Sequence, residues 1–510
     1  MMIDTRRWRK PLRINIAALV LCLCLTACSI RQTGGSLPDE STDTTEESEL
    51  SGELIDDTGE SEPVPTETPG KPGVTAETST ESFTEPPAET STEEMTEPEP
   101  TEPPLTDAQV ALIEEADRLA AGYDYDAAMA LIQTHEGFAE VSAMTEALVR
   151  YENRKAATVK WESIEEITHV FYHSLIVDPV LAFDGDEDEY NYNRVMTTVE
   201  EFKKIMQEMY DRGYVLVSIH DIAHIEVQAD GSEVMVPGEI RLPEGKIPYV
   251  LSVDDPSYYH YMEGDGFASR LVIDEMGNVV CEYIQPDGTV VYGDFDVMPL
   301  VDRFVEAHPD ASYRGAKGIL ALTGYHGVLG YRTDPAYQNH QGLDAGQQAW
   351  LAAHPEFDYE KEIEEAKRVA EALKASGWEF ASHSYGHRNY RDISMHDLMW
   401  DSNTWRNTVA GIIGETDILI YAYGADINGT SPYTAENERF MYLKEMGFDY
   451  FCNVDANRYF VQLGDNYLRQ GRRNLDGIRM WQAISGQKDW LSDLFDAGEV
   501  FDPERPTPVR

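Results

Sequence analysis

The stretch YVLSVDDP at residues 249–256 is an apolar run that ends in two adjacent carboxylates, Asp254 and Asp255, and a proline. A short apolar run of this kind is typical of a buried strand, and the proline favours a turn directly after it. A second stretch, HSYGH at residues 383–387, places two imidazoles four residues apart behind another apolar segment. Together the two strand ends offer the carboxylate and imidazole ligands that a divalent metal accepts in a hydrolase.

Strand and helix patterns alternate along the chain from about residue 161 onwards. The predicted strands cover residues 168–175, 214–219, 249–253, 318–322, 379–382 and 418–422. The predicted helices cover residues 198–212, 359–376 and 435–446. This alternation predicts an α/β fold with parallel strands, in which functional residues lie where strands end. The Asp pair and the HSYGH stretch both occupy such positions.

The first 28 residues are typical of a lipoprotein signal peptide. Basic residues precede an apolar stretch at residues 14–27, which is too short to span a bilayer comfortably. The stretch ends in LTAC at residues 25–28, which resembles a bacterial lipobox with Cys28 as the lipidated residue. We therefore predict a lipid anchor at the extracellular face of a bacterial cell membrane. The alternative is an ordinary secretory signal with an incidental cysteine.

A linker follows at residues 29–104, rich in Thr, Glu, Ser and Pro. It carries 21 Asp and Glu residues against two basic residues. Its apolar content is too low to offset chain entropy, so we predict that it is disordered and kept extended by its charge. The whole chain has a net charge of −53. Nucleic acid is excluded as a partner, because phosphate binding requires basic patches.

Residues 105–160 show helical periodicity in three segments, with a break at Gly122. The first two resemble a tetratricopeptide-like hairpin, but a single copy cannot bury a continuous core alone. We interpret this region as a helical spacer packed on the domain that follows. A protein- or glycan-binding module is the alternative.

Two cysteines, Cys281 and Cys452, lie beyond the signal region and Cys28. They exclude a dense disulfide framework and a thiolate zinc site, and they leave a single bridge open.

The motifs in their chain order resemble the polysaccharide deacetylases, also called the NodB-homology family or family-four carbohydrate esterases. The resemblance covers about residues 161–494, and it rests on the paired Asp254 and Asp255 and on HSYGH at residues 383–387. It implies a distorted (β/α) barrel, with residues 161–510 as the deacetylase-like domain. It also implies a hydrolase of non-peptide carbon–nitrogen bonds that removes N-acetyl groups from a cell-wall polysaccharide or an exopolysaccharide.

The resemblance also implies roles for individual residues. Asp255, His383 and His387 would hold a divalent metal, with zinc expected and cobalt or nickel as alternatives. Asp254 would be the general base. Tyr423 stands at the Tyr of the family's Arg-x-Pro-Tyr-Gly motif, whose backbone N–H stabilises the oxyanion. Two adjacent Asp residues can have different roles only if the chain turns between them.

The sequence departs from the family pattern at three places. Pro256 stands where the family usually has Gly, and the Arg and Pro of the Arg-x-Pro-Tyr-Gly motif are missing, so the motif Arg that orients the base Asp in the family is absent. No histidine follows His396, so the family's late general acid is missing too. His173 and His326 are the candidates to replace it, with a structural strand position as the alternative for His173.

These departures leave two other functions open: a catalytically inactive, glycan-binding surface protein and an O-acetyl sugar esterase.

A long segment at residues 256–376, here named the intermotif segment, separates the two metal-ligand stretches. It contains a predicted hairpin at residues 285–288 and an aromatic, Gly-rich stretch at residues 324–331. Aromatic faces suit sugar rings, so a glycan groove is one interpretation of this segment. Ordinary core packing of the aromatic side chains is the other.

Overall fold

The computed structural model describes residues 104–455 and 457–510. The predicted signal region with Cys28, and the predicted linker up to residue 103, lie outside the described residues, so both stay predictions. Within the part of the chain that the structure describes, no helix is both long enough and apolar enough to cross a membrane.

The described residues contain the following strands: β1 (Val159–Lys160), β2 (Thr168–Tyr172), β3 (Tyr214–Leu216), β4 (Ala223–Val227), β5 (Glu233–Pro237), β6 (Arg241–Leu242), β7 (Ile247–Asp254), β8 (Arg270–Ile273), β9 (Val279–Ile284), β10 (Val290–Gly293), β11 (Gly318–Leu322), β12 (Trp378–Ser382), β13 (Ile418–Ile420), β14 (Tyr450–Val454), β15 (Val461–Leu463) and β16 (Leu468–Asn474).

The α-helices of the same residues are α1 (Asp107–Ala121), α2 (Tyr125–Gln133), α3 (Ser142–Ala156), α4 (Pro179–Ala182), α5 (Glu189–Val195), α6 (Val199–Asp211), α7 (Ile219–Ile222), α8 (Val297–Ala307), α9 (Pro335–Asn339), α10 (Ala345–Ala353), α11 (Tyr359–Ser376), α12 (Met395–Thr408), α13 (Ala410–Ile413), α14 (Glu438–Glu445), α15 (Gly477–Ile484) and α16 (Ala497–Val500).

Seven parallel strands close into a barrel in the order β2, β7, β11, β12, β13, β14 and β16, and β16 pairs back onto β2. β3 and β11 pair with the same edge of β7. β3 pairs with the first half of that edge, and β11 pairs with the second half. The predicted α/β class and distorted (β/α) barrel are therefore confirmed. Because every strand of the ring is parallel, the carboxyl ends of β7 and β12 meet at the same end of the barrel.

Alternate residues of the barrel strands face two different cores. Leu251 and Val253 of β7 pack with the helices that surround the barrel. Val250 packs with apolar residues of the other barrel strands and of α1–α3. Since successive side chains point to opposite faces of a strand, Ser252 and Asp254 share the inner face with Val250. The barrel interior is therefore apolar at its amino end and polar towards its carboxyl end.

Helices α1–α3 share the inner core of the barrel. The side chain of Thr106 and that of Gln109 form a capping box at the start of α1. The hydroxyl of Tyr123 donates to the carbonyl of Asp310 at 2.7 Å, and the Arg314 N–H donates to the carbonyl of Gly122 at 2.7 Å. The three helices are thus packed on the barrel through both apolar and polar contacts.

Helix α6 illustrates how local sequence sets the bounds of an element. Thr198 and Glu201 form a capping box at its start. Its apolar residues recur on one face and are buried. Gly213 follows its end with a φ of +88°, and a Cβ there would lie 2.7 Å from the carbonyl oxygen of Gly245. Only glycine fits both the backbone conformation and the space.

One strand prediction is wrong in its second half. The predicted strand at residues 214–219 ends at Leu216, because Ser218 begins helix α7 instead. The Ser218 side chain accepts a hydrogen bond from the His220 N–H, and a capping box completes this helix start. The Ser218 side chain bonds to the local backbone and starts a helix, although its β-branched neighbours favour a strand.

The other boundary differences are smaller. β2 ends at Tyr172 rather than at residue 175, and β13 ends at Ile420 because Ala422–Gly424 form a 3₁₀ turn. Helix α14 begins at Glu438 because Asn437 caps it. The predicted hairpin at residues 285–288 is confirmed, since it joins the antiparallel strands β9 and β10.

β14 and β16 complete the barrel, although the sequence patterns do not indicate them. The sequence of β16, LRQGRRN, is polar on both faces: Gln470 and Arg472 meet the polar part of the barrel interior, whereas Arg469 and Arg473 form ion pairs with Asp426 and Asp493 on the other face. Cys452 of β14 and Cys281 of β9 are both buried and free, so the bridge that the sequence left open is not formed.

Candidate metal centre

The two adjacent Asp residues diverge at the end of β7. Asp254 is the last residue of the strand, whereas Asp255 has a left-handed φ of +54°. The Asp255 N–H donates to the carbonyl of Ala321 at 3.1 Å, which fixes the turn. A non-glycine residue with positive φ stores backbone strain. This turn, with Pro256 after it, separates the two carboxylates as the sequence required.

The two histidines come from the loop that follows β12. Ser384 and His387 also have positive φ values, 62° and 48°. The backbone N–H groups of Tyr385 and Gly386 donate to the two carboxylate oxygens of Asp401, each at 2.8 Å. Asp401 is a buried residue of α12 and clamps this loop. The sequence does not predict this role of Asp401, because nothing in it links residue 401 to the HSYGH stretch.

Three donor atoms face one another between these two loops. Asp255 Oδ2 lies 3.5 Å from His387 Nε2 and 3.8 Å from His383 Nε2. These distances are too long for hydrogen bonds. Ligands of a tetrahedral zinc at about 2.0–2.1 Å lie about 3.3–3.4 Å from one another. The three donors are therefore spaced to hold a single divalent cation, and they form a possible metal-binding group in the structure.

The protonation of the two imidazoles also suits metal binding. His383 Nδ1 lies 2.9 Å from the carbonyl of Ile420, so Nδ1–H donates there and the Nε2 lone pair remains for a ligand bond. Burial lowers the pKa of His387, against the charge of Asp255. A neutral imidazole is the form that coordinates metals.

Asp254 is held by an arginine that the sequence does not reveal. Arg472 of β16 donates to both carboxylate oxygens of Asp254, at 2.6 and 2.9 Å, and both side chains are buried. Burial alone would raise the pKa of Asp254, but the charge and hydrogen bonds of Arg472 hold it well below its usual range. The motif Arg is missing from the sequence, and Arg472 of another strand stands beside Asp254 instead.

A layer of polar side chains inside the barrel forms hydrogen bonds that hold Arg472 in place. Its guanidinium donates to the Ser252 hydroxyl at 3.1 Å, and this hydroxyl also lies 3.0 Å from His169 Nε2. The other ring nitrogen of His169 lies 3.1 Å from the Gln470 side-chain oxygen. Burial and the positive charge of Arg472 lower the pKa of His169 well below its usual value. The layer therefore orients Arg472 without adding a second cation.

Tyr423 lies at the rim of the same site. Its φ is +59°, and its ring centroid lies 4.4 Å from that of His387, with 58% of the residue exposed. Gly424 follows, and a Cβ there would lie 2.3 Å from the Cβ of Val454. The Tyr-Gly pair of the motif is thus explained by a left-handed turn that packs closely on β14.

His173 lies directly after β2, the barrel neighbour of β7. The preceding residue, Tyr172, pairs with Val253 of β7, so His173 stands level with Asp254. Its Nδ1 lies 3.1 Å from the carbonyl of Val195. His173 is therefore brought to the side of the site on which Asp254 lies.

His326, the other candidate, lies elsewhere. Its Nε2 is 3.1 Å from the carboxylate of Asp344, and its ring packs edge-on against those of Tyr259 and Tyr325. These contacts place it behind the aromatic side chains of the intermotif segment rather than beside Asp254.

No family model matches the sequence, and no curated protein matches it. Among solved structures, the chain is similar to the Streptococcus pyogenes deacetylase PplD in complex with acetate, with 11% sequence identity and a TM-score of 0.33. The alignment covers 63% of this chain and 95% of that chain. The fold and the site rest on the strand pairings and the distances given above.

Proposed function

We propose that this protein is a metal-dependent hydrolase that removes N-acetyl groups from an extracellular amino-sugar polysaccharide. The observation that carries the proposal is the convergence of Asp255, His383 and His387 on one point, next to an ionised Asp254 that Arg472 holds in place. A carboxylate beside a three-ligand metal group is the equipment of a metal-assisted hydrolysis.

Asp255, His383 and His387 would hold the metal, with zinc as the first choice and cobalt or nickel as alternatives. When bound, the cation supplies a Lewis acid that polarises the acetyl carbonyl and makes water easier to deprotonate. The donor set of one carboxylate and two neutral imidazoles fits these cations, and it leaves room for further ligands.

Asp254 is the group that would take the proton of the attacking water. Arg472 occupies one hydrogen-bonding position on each of its oxygens, at 2.6 and 2.9 Å. Each carboxylate oxygen has a second lone pair, so Asp254 can still accept a proton. Oδ2 of Asp254 lies 3.9 Å from His383 Nε2, which places it at the edge of the metal-ligand group.

Departure of an amine requires a proton from the enzyme. His173 is the candidate that its contacts favour, because it lies on the Asp254 side of the site whereas His326 does not. The Val195 carbonyl accepts from Nδ1–H of His173, so Nε2 is the nitrogen left to deliver a proton. The charge of Asp476 would stabilise the protonated ring.

Exposed aromatic rings support a saccharide as the substrate class. Tyr423 and Tyr261 are 58% and 48% exposed, and both lie near Asp255. Flat apolar faces of this kind stack on sugar rings. The predicted lipid anchor at Cys28 and the predicted acidic linker support an extracellular polymer, since they would extend the domain from a membrane surface.

Acetate release tests this function directly. The full-length protein, stripped of metal and then supplied with zinc, cobalt or nickel, should release acetate from N-acetylglucosamine oligomers and not without metal. Protein that binds metal but releases no acetate from any N-acetylated glycan would contradict the proposal. Acetate released from O-acetylated sugars alone would select the esterase, and glycan binding without turnover would select the inactive form.

A further inference from the structure

We propose that Tyr259 is a positioning residue that holds Asp255 so that only one of its carboxylate oxygens faces the metal. The inference rests on the metal-dependent function proposed above. It concerns a residue of the intermotif segment, for which neither the sequence motifs nor the metal-ligand group gives a role.

The two oxygens of Asp255 have different partners. The Tyr259 hydroxyl lies 2.8 Å from Oδ1 of Asp255. The other oxygen, Oδ2, is the atom that faces His387 Nε2 at 3.5 Å and His383 Nε2 at 3.8 Å. The phenol therefore holds the oxygen that the two histidines do not face.

The direction of the hydrogen bond follows from the chemistry of the partners. The Tyr259 hydroxyl also lies 2.7 Å from the hydroxyl of Thr323, which in turn lies 3.3 Å from that of Ser257. An ionised carboxylate accepts hydrogen bonds and cannot donate one. The single phenol proton of Tyr259 therefore goes to Asp255, and Thr323 donates to the phenol oxygen. Thr323 directly follows β11, so the relay connects β11 to the end of β7.

The ring of Tyr259 has little freedom to move away. It is 3% exposed and lies between the rings of Tyr261 and Tyr325, at centroid distances of 5.5 and 5.0 Å and interplanar angles of 17° and 19°. The ring of His326 meets it edge-on at 5.7 Å. A phenol packed on both faces holds its hydroxyl at a fixed place, which is what a positioning residue must do.

The consequence for the metal is a fixed mode of ligation. A carboxylate can bind a cation through one oxygen or through both. Because Oδ1 of Asp255 is engaged by Tyr259, Asp255 offers one oxygen and leaves the other coordination positions to water and substrate. Hydrogen bonds to ligands of this kind typically change metal affinity by about 10–100-fold when they are removed.

The test compares zinc affinity among full-length variants, measured by competition with a chromophoric chelator. We expect Tyr259→Phe to weaken zinc binding by about 10–100-fold and to change the visible spectrum of the cobalt-loaded protein, because the coordination changes. Tyr261→Phe is the matched control, since its ring belongs to the same stack and its hydroxyl does not contact Asp255. Thr323→Val should weaken zinc binding less than Tyr259→Phe does. The double variant should bind zinc almost as tightly as Tyr259→Phe alone.

Thr323→Val also keeps the inference testable if Tyr259→Phe folds poorly. A Tyr259→Phe variant with the parent's zinc affinity and cobalt spectrum would overturn the inference, and so would an equal loss in Tyr261→Phe. A parent protein that binds no divalent cation would overturn the proposed function together with this inference. The two failures are therefore distinguishable.

Discussion

Histidine side chains lie beside carboxylates at both ends of β12 and β13, and their contacts differ between the two ends. At the amino ends, His220 is bonded through both ring nitrogens, to Glu379 at 2.5 Å and to Asp417 at 3.1 Å. At the carboxyl ends, the Nε2 atoms of His383 and His387 lie 3.5–3.8 Å from the Asp255 carboxylate. One arrangement closes both ring nitrogens with hydrogen bonds, and the other leaves the Nε2 atoms open.

The difference separates a structural cation from a proposed metal ligand. Burial opposes the protonation of His220, but the hydrogen bonds and charges of Asp417 and Glu379 prevail and raise its pKa to about 10. Burial lowers the pKa of His387. A protonated imidazole can tie two strands together but cannot coordinate a cation, whereas a neutral one with a free nitrogen can. The same two residue types therefore serve stability at one end and, in the proposed function, metal binding at the other.

Removing a proposed metal ligand should have the largest effect on zinc affinity. It should distinguish the histidines at the carboxyl ends of the strands from His220 at the amino ends. Asp255→Ala takes away one of three donors, so we expect a loss of zinc affinity of more than about 100-fold and no acetate release. Competition with a chelator measures the first, and an acetate assay the second. His220→Gln, the matched change at the amino end, should leave zinc affinity at the parent value. A comparable loss in both variants would remove the distinction.

The next largest effect on activity should come from changing His173. Its imidazole would act as a proton donor, neither as a structural cation like His220 nor as a metal ligand like His387. His173→Ala should slow N-deacetylation by about 10²–10⁴-fold, the usual contribution of a general acid. It should leave hydrolysis of an aryl acetate almost unchanged, because a phenolate leaves without a proton. His326→Ala is the control, and an equal loss there or with the aryl ester would assign the effect to structure.

Breaking the buried ion pair should cost more stability than breaking the partly exposed one. Arg472→Met leaves Asp254 charged and unpaired inside the barrel, so we expect a loss of about 3–5 kcal/mol in the free energy of unfolding. Urea denaturation measures it. Asp254→Asn added to Arg472→Met should recover part of the loss, since it removes the uncompensated charge. A single variant as stable as the parent would show that Arg472 does not hold Asp254.

The smallest effect should come from His220, whose side chain is 36% exposed. His220→Gln should lower the free energy of unfolding by about 1–3 kcal/mol at neutral pH, because hydrogen-bond partners of Glu379 or Asp417 are lost. The folded-state pKa of about 10 lies above the ordinary value of 6.5. The contribution of His220 is therefore complete below the ordinary value and disappears as pH rises through about 10. A stability difference between parent and variant that stays constant from neutral to alkaline pH would contradict the protonated ring.

The sequence was sufficient to predict where a residue lies when its position depends only on its neighbours along the chain. Asp254 and Asp255 end an apolar run, and HSYGH follows another, so strand-end placement could be read from periodicity alone. Helix α11 and strand β11 match their predicted bounds, residues 359–376 and 318–322, because strong local patterns agree with their tertiary surroundings. The strand at residues 214–219 failed in its second half because the cap at Ser218 is a competing local signal.

The sequence alone determined an α/β chain with carboxylates and imidazoles at strand ends, since apolar periodicity and turn residues are local properties. Only the tertiary structure decided what holds them: Arg472 beside Asp254, Asp401 behind the HSYGH loop and Tyr259 on Asp255. These partners lie between 4 and 218 residues from the groups they support. Closure of the barrel brings the distant ones together, and sequence spacing carries no record of that closure.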